Sequence, residues 1–527
     1  MFQREDFARS EAFPKNKVMN YSTNIKSLRD SFKKLFLIFA FSCLIIWLGY
    51  FTPRQSFGQL ISLYSALFVV YFFLVKTFKN AREVIFLGVF FRLLLLLAIP
   101  ALSDDFYRFV WDGRLLFNGI NPYTILPTDF VQTIDFQRII AEKTIFEKLN
   151  SPNYYTVYPP LNQLIFAASA ALSQGSLFGN VVALRIFILL AEVGVLVPLA
   201  SKGAGLIGFE ISPPSFKEGC PDKVGRGGFW FMDALKNAQL EQTTPSKFDF
   251  VRILPPLLQK EGKIKIESFN PVKRMALYAF NPLIIIELTG NLHFEGVVMY
   301  FLVLAFYVGV KNRKSLVFSS FLFACAVCVK MLPLIFIPLI IRQLGWKKGI
   351  IYASMVGLFT ALFFLPFLDR MLIEKLFSSV NLYFQKFEFN ASIYYLVRAV
   401  GFKIFGYNII GTAGKIMAFL TFSGVLFISW KSQNLFVGAL AILTLYFAMA
   451  TTVHPWYATN LLVIAIFTSF RYPIVWSYTI FLSYATYQTN LYQENLWLVT
   501  LEYLLVLGMM LYEFKQVRNL FYDKSSQ

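Results

Sequence analysis

Charged and metal-binding side chains are scarce in this chain. Of its 527 residues only 15% are charged, two are histidines and four are cysteines, whereas 57% are hydrophobic. This composition excludes a water-soluble globular protein, because its repeated apolar runs are long enough to cross a hydrocarbon core of about 30 Å. The sequence therefore predicts an all-α polytopic membrane protein.

The cysteines and histidines form no recognisable metal or redox motif. Cys325 and Cys328 lie inside an apolar run without a second cysteine pair. The two histidines lack HExxH-type spacing, although a zinc site built from His293, His454 and an aspartate stays open as an alternative. We predict that the protein uses no metal and no cofactor.

The chain carries 49 basic and 30 acidic residues, an excess of 19. In a membrane protein such an excess marks cytoplasmic loops, and no helix-turn-helix or finger spacing suggests nucleic acid as a partner. The basic amino-terminal tail and the basic link 76–82 are therefore predicted to be cytoplasmic. We predict about fourteen transmembrane helices (twelve to fourteen), with a long outer loop after the third.

Shifts in composition divide the chain into five parts. Residues 201–275 are polar, basic and rich in Gly and Pro, which indicates a disordered cytoplasmic insertion. The predicted parts are a cytoplasmic tail (1–33), a first membrane segment (34–200) with an outer loop at 103–157 that carries surface helices, the insertion (201–275), a second membrane segment (276–513) with an outer loop at 367–405, and a cytoplasmic tail (514–527).

Carboxylates, arginines and aromatic residues crowd together directly after the third predicted helix. Asp104 and Asp105 lie where that helix leaves the bilayer, and they are the candidate catalytic residues. The alternative is a solvated loop whose charges only end a helix. The candidate substrate-binding residues that follow are Tyr107, Arg108, Trp111, Asp112, Arg114, Asn121, Tyr123 and Tyr158.

Further polar clusters fall at outer helix ends in this topology, and both histidines belong to them. They add His293, Glu295, Lys330, Asn390, Arg398, His454, Trp456 and Tyr457 as candidate binding residues. The structural alternatives are histidines that fill the core, tyrosines that anchor the membrane interface, and a lysine that snorkels to it.

Sugar transfer from a lipid phosphate fits this combination of side chains. A phosphate leaves readily, whereas an acceptor hydroxyl needs a positioned base, which a carboxylate supplies. Arginine or histidine offsets the charge that develops on the departing phosphate. Aromatic rings such as Trp111, Tyr123 or Trp456 are expected to stack on the sugar or the lipid.

The pattern from Ser103 to Tyr123, continued by Tyr158-Pro-Pro-Leu161, resembles the GT-C superfamily of integral-membrane glycosyltransferases. Bacterial members and the mannosyltransferase I family of glycosylphosphatidylinositol synthesis are similar there. Residues 281–283, Glu287, and residues 290–296 and 330–333 resemble the later blocks of such enzymes, although Glu295 stands where relatives carry an aspartate.

The resemblance implies a polyprenyl-phosphate-linked sugar as donor, inversion at the anomeric carbon, and the acidic pair as the base, with Asp104 favoured over Asp105. We predict a hexosyltransferase, with mannose as the candidate sugar. It would act on a glycan- or lipid-linked acceptor at the periplasmic face of a bacterial inner membrane. The alternative, a transporter or flippase of lipid-linked glycans, is disfavoured because the sequence shows no internal repeat and its charges gather at one face.

Overall fold

A computed structural model of the chain describes residues 15–140, 143–173, 175–200, 270–309, 313–375, 378, 387–489 and 492–522. Within these ranges the fold is all-helical, as predicted, and β-type pairing is limited to an isolated bridge between Phe389 and Thr452. Most of the predicted insertion (201–275) lies outside the described residues.

The α-helices of the described residues are numbered in chain order. They are α1 (Lys15–Phe51), α2 (Phe57–Thr77), α3 (Ala81–Leu93), α4 (Asp105–Phe117), α5 (Pro127–Phe130), α6 (Asp135–Ile140), α7 (Lys143–Glu147), α8 (Pro160–Ser173), α9 (Leu177–Ala200), α10 (Pro271–Ala279), α11 (Glu295–Gly309), α12 (Arg313–Val329), α13 (Ile337–Leu344), α14 (Trp346–Phe364), α15 (Ile393–Phe405), α16 (Ile410–Lys431), α17 (Leu435–Met449), α18 (Ala458–Ala465), α19 (Tyr472–Thr479) and α20 (Leu496–Tyr522).

Several of these helices are long and apolar enough to cross a membrane, which supports a membrane protein. By length and composition the described chain has six such candidate spans, or seven if a bent pair counts as one. They are Ser27–Phe51, Phe57–Thr77, Leu177–Leu196, Trp346–Phe367, Ile410–Lys431 and Leu496–Lys515, and the bent pair is Ile284–Gly290 with Glu295–Gly309. The predicted number of about fourteen spans is thus matched only in part.

The third predicted helix (83–102) is shorter than expected, since α3 ends at Leu93. Beyond it the chain continues in tight turns, in which backbone N–H groups bond to the carbonyl three residues earlier as far as Ala98. The Leu96 carbonyl instead accepts a hydrogen bond of 2.7 Å from the Arg185 guanidinium of α9. The residue four positions after Leu96 is a proline, which has no N–H to donate to this carbonyl. The Arg185 guanidinium supplies the missing donor from another helix.

The helix predicted at 276–290 is also divided. Pro282 disfavours the α conformation at the residue before it, and Asn281 uses its side-chain oxygen to accept from the Leu283 N–H at 2.9 Å. The chain resumes as a π-helical turn, Ile284–Gly290, and then bends by 107° into α11. The bend leaves the polar residues 287–295 in the interior.

Helix α4 lies buried against α8 rather than on the surface of the outer loop. A Cβ atom at Gly113 would lie 2.3 Å from the backbone oxygen of Phe166, so the two helices touch at this point. The ring of Phe109 stacks on Phe166 at 4.8 Å. This packing fixes the start of α4, where the acidic pair lies.

Candidate active site

The two aspartates at the start of α4 have different partners. Asp104 precedes the helix, and its Oδ2 lies 2.6 Å from Nη2 of Arg54, in the short link between α1 and α2. Asp105 occupies the first turn, and its Oδ1 accepts a hydrogen bond of 2.7 Å from the Asn150 amide. The Asp104 carboxylate is therefore held in an ion pair, whereas Asp105 has an amide donor.

Burial raises the pKa of Asp105, while the Asn150 hydrogen bond and the positive charge of Lys330 act in the opposite direction. Desolvation disfavours a charged carboxylate, so this group binds a proton more readily than an exposed aspartate does. Such a shift is useful in a residue that must accept a proton near neutral pH.

Two more carboxylates come from the bent segment between the π-helical turn and α11. Glu287 accepts hydrogen bonds from Tyr484 (2.7 Å) and from the Asn291 amide (3.2 Å). Glu295 forms an ion pair with Lys330. Both glutamates are buried, and each is compensated by a specific donor, as a buried charge requires.

The four carboxylates share one electrostatic neighbourhood. Asp105 lies close enough to Glu287 and Glu295 for the charges to interact, and Lys330 acts on both Asp105 and Glu295. A concentration of negative charge with lysine and arginine at its border suits a reaction that moves a proton and frees a phosphate.

Both histidines lie on the faces of one tryptophan. The indole of Trp456 stacks on His293 with a centroid distance of 3.7 Å, and on His454 with a distance of 4.4 Å. Phe389 stacks on His454 at 5.0 Å. We call His293, Trp456, His454 and Phe389 the ring stack. Because burial lowers the pKa of His454 to about 3, this imidazole is neutral at physiological pH.

Lysine and arginine side chains connect the carboxylates with the ring stack. The ammonium of Lys330 lies 5.6 Å from the Tyr457 ring centre, and its charge acts on both imidazoles. The Arg54 guanidinium lies 5.1 Å from the Tyr487 ring centre, and Tyr487 is 6.0 Å from Phe389 in the ring stack. Carboxylates, cations and rings thus form one continuous site.

A comparison with known families indicates the class of protein to which the chain belongs. The model of the alpha-(1->6)-mannopyranosyltransferase N-terminal domain matches residues 39–206 and 265–345. The chain belongs to this GT-C type mannosyltransferase family. It is a glycosyltransferase, which decides between the enzyme and the transporter or flippase. No curated protein and no solved structure matches the chain.

The family match includes only part of the candidate site. Asp104, Asp105, His293 and Lys330 lie within the matched ranges. The other three members of the ring stack, Phe389, His454 and Trp456, lie outside the matched ranges. The interruption of the match between 206 and 265 falls within the predicted insertion.

Several predicted binding residues on α4 of the mannosyltransferase are buried within its own packing. Arg108 pairs with Asp112 at 2.8 Å and donates to the Ser151 and Tyr154 carbonyls at 3.0 and 2.9 Å. These bonds hold residues 151–154 on the helix. Substrate contact by Arg108 and Asp112 remains a prediction, to which this geometry adds no support.

The remaining α4 candidates have comparable surroundings. The Trp111 indole is fully buried against aromatic rings that include Phe130. Arg114 donates to the carbonyls of Ile140 and Gly175. Tyr107 is buried, with the Lys148 ammonium 5.5 Å from its ring centre. In this structure Trp111 therefore offers no ring face to a sugar.

Asn121, Tyr123 and Tyr158 form a scaffold at the rim of the outer loop. The Asn121 side chain accepts from the Tyr123 N–H at 3.1 Å and donates to the Phe367 carbonyl at 3.1 Å. The Tyr123 hydroxyl donates to the Tyr158 carbonyl at 2.5 Å. These bonds join the chain at Asn121 and Tyr123 to Tyr158 and to Phe367, which follows α14.

The predicted residues of the second outer loop, Asn390 and Arg398, lie behind the ring stack. Arg398 pairs with Glu388 and lies over the Tyr395 ring at 4.2 Å. Asn390 is fully buried and donates to Glu502 at 3.2 Å. The rings of Trp456 and Tyr123 are also covered, so sugar stacking on them is not supported by this arrangement.

Sequence reasoning gave no site role to five residues that contact the site: Arg54, Asn150, Glu287, Tyr484 and Tyr487. Of these, it named only Glu287, as part of the later family blocks. A carboxylate inside an apolar run is costly in a membrane and marks a functional candidate, so the signal for Glu287 was present. The others are ordinary residues in their local context, and only the fold brings them together.

The mannosyltransferase has no cluster of three His, Cys, Asp or Glu side chains that could hold a metal ion, as far as the chain is described. Cys325 and Cys328 are buried free thiols. His293 and His454 lie on opposite faces of Trp456, so the indole separates the two imidazoles that the zinc alternative would bring to one ion.

Proposed function

We propose that the chain transfers a mannosyl group from a polyprenyl-phosphate-linked donor to a glycan- or lipid-linked acceptor, with inversion at the anomeric carbon. The observation that carries this proposal is the convergence of Asp104, Asp105, Glu287 and Glu295 with Lys330 and Arg54 in a chain of a mannosyltransferase family. The family supports mannose as the sugar, and the cations beside the carboxylates support a phosphate as the leaving group.

The proposed reaction is a single displacement. The acceptor oxygen forms a bond to the anomeric carbon, its proton passes to a carboxylate, and the bond to the phosphate oxygen breaks with its electron pair. Lys330 and Arg54 are the proposed partners of the departing phosphate, because each already borders the acidic group. Attack opposite to the leaving group inverts the configuration.

Asp105 is the proposed base, although the family resemblance favours Asp104. Protonation of Asp104 would break its ion pair with Arg54. Asp105 interacts with Lys330, Glu287 and Glu295 and therefore lies nearer the centre of the charged group. In this view Asp104 orients Arg54, and Asp105 accepts the proton.

The test is transfer of radiolabelled mannose from polyprenyl-phosphate mannose by membranes that contain Asp105→Asn or Asp104→Asn. We expect Asp105→Asn to lower kcat by at least about a hundredfold, the lower range for loss of a general base. Asp104→Asn should lower it less. Asp129→Asn, an exposed aspartate of the same loop, is the matched control. A larger loss in Asp104→Asn would reverse the two roles, and near-normal transfer by both variants would refute the proposal.

The proposed location of the site is the periplasmic face of a bacterial inner membrane. The support is the positive-inside rule, which assigns the basic amino terminus and the link 76–82 to the cytoplasm. Asn118, at the end of α4, is exposed, so Asn118→Cys should react with a membrane-impermeant maleimide in intact spheroplasts. Reaction only after lysis would place the loop on the opposite side.

A further inference from the structure

The segment from Phe387 to Ser392, which we call the strap, places Phe389 on the ring stack. The Phe389 N–H donates to the Thr451 carbonyl at 3.1 Å, and the Val453 N–H donates to the Phe389 carbonyl at 2.8 Å. These two bonds form the isolated bridge next to His454. The strap therefore aligns one wall of the site through its backbone.

Asn390, the next residue of the strap, is joined to the carboxyl-terminal part of the chain by its backbone and its side chain. Its N–H donates to Glu494 at 2.5 Å, and its carbonyl accepts from the Tyr503 hydroxyl at 2.6 Å. Its amide donates to both Glu502 oxygens at 3.2 Å. Trp476 donates to the same carboxylate at 2.8 Å.

The backbone of Asn390 also limits which residues fit this position. Its φ is +47°, a left-handed conformation that asparagine tolerates better than most side chains. Asn390 is fully buried, so it has no exposed surface for a substrate. Its backbone N–H and its side-chain amide both donate to groups of the protein itself.

We infer that Asn390 is a positioning residue that clamps the strap to α20 and thereby holds Phe389 against His454. This inference rests on the proposed function in one respect, because it takes the ring stack as a wall of the substrate site. If the inference is correct, residues beyond the family match help to orient the site. The inference also replaces the predicted substrate contact of Asn390 with an indirect role.

A donor–acceptor exchange between Asn390 and Glu502 tests the clamp. Asn390→Asp keeps the size and the tolerance for a positive φ but places a carboxylate against Glu502. Glu502→Gln combined with Asn390→Asp restores an amide–carboxylate hydrogen bond with the roles reversed. The matched control is Asn495→Asp, which makes the same chemical change at an exposed residue that caps the start of α20.

Two measurements report on different steps. Hydrogen–deuterium exchange of the amides of Phe389 and Val453 reports opening of the strap, and mannosyl transfer reports its effect on the site. We expect Asn390→Asp to speed exchange at both amides and to lower kcat/KM about tenfold, as for loss of a buried hydrogen bond. The double variant should recover both within about threefold, and Asn495→Asp should change neither.

The outcomes separate this inference from the proposed function. Unchanged hydrogen–deuterium exchange in Asn390→Asp would overturn the clamp. A double variant that recovers exchange but not mannosyl transfer would also overturn it, because direct substrate contact by Asn390 would then explain the loss. Asp105→Asn should abolish transfer without altering exchange, so the base is tested independently. If Asn390→Asp fails to fold, Asn390→Gly, which keeps the positive φ and removes only the side-chain bonds, gives the same two measurements.

Discussion

The family-matched part of the chain and the described part beyond residue 345 contribute different chemistry to one site. The matched part supplies the carboxylates and Lys330, which are held by ion pairs and hydrogen bonds. The later part supplies Trp456, His454 and Phe389, which are held by ring stacking and by the strap. Substitutions that change charge, and changes in pH, should therefore affect the first group most. Substitutions that change the size of a ring should affect the second group most.

The largest effect is expected where the matched part depends on a buried ion pair. Arg108→Met leaves Asp112 buried without its cation, and breaking a buried pair on one side costs about 3–5 kcal/mol. Both side chains are almost completely buried. The measurement is the free energy of unfolding in detergent.

Arg138→Met is the matched control for this comparison. The Arg138–Asp135 pair lies in the same loop but is exposed, with 74% and 44% of the side chains accessible. An exposed pair contributes at most about 1 kcal/mol. Equal destabilisation by the two variants would contradict the assignment of Arg108 to the packing of α4.

The next effect concerns pH, to which only the carboxylate group should respond. A base must be deprotonated, so kcat/KM should fall about tenfold per pH unit below the pKa of Asp105. Because burial raises this pKa, that fall should begin at a higher pH than for an exposed aspartate near about 4. His454, with its pKa lowered to about 3, should add no transition near 6.5.

Asn150→Ala sharpens this prediction. It removes the hydrogen bond that favours the charged form of Asp105, so the acid limb of the pH–rate profile should move to higher pH. The Asp105→Asn variant should have lost this limb. A profile that is identical in wild type and Asn150→Ala would show that another group sets the acid limb.

A smaller effect is expected in the ring stack. Trp456→Phe keeps a ring between the imidazoles but reduces its area, and an aromatic pair contributes about 0.5–1.5 kcal/mol beyond its buried area. Loss of this energy from the transition state would lower kcat/KM roughly two- to twelvefold. We expect no shift in the acid limb of the pH–rate profile. A shifted limb would show that the rings and the carboxylates titrate together.

The smallest effect is expected from removal of residues 211–262, which lie in the predicted insertion. A long inserted segment costs little loop entropy, and the family match passes over 207–264. Transfer activity and membrane levels should stay near those of the full chain. Loss of either would show that these residues take part in folding or catalysis.

How much the sequence predicted depends on whether a signal was local. The all-helical fold follows from the hydrophobic runs. The polar clusters at helix ends led to the prediction that His293, His454 and Asp105 share one site. The donor that satisfies the Leu96 carbonyl beyond α3 does not follow from the local sequence, because it is Arg185 from α9. The burial of Arg108 is likewise invisible locally, since its partners belong to a loop more than forty residues away.

The contact at Gly113 should make the position of Asp105 sensitive to a single added methyl group. Residue 113 lies eight positions after Asp105, or about 12 Å along the helix. With the Phe166 carbonyl 2.3 Å from where a Cβ would lie, a larger residue must tilt α4 away from α8. A tilt of about 5° would displace the aspartate by roughly 1 Å, and misplacement on that scale can slow a reaction about a hundredfold. The close packing of α4 on α8 at Gly113 thus determines where Asp105 lies at the start of the helix.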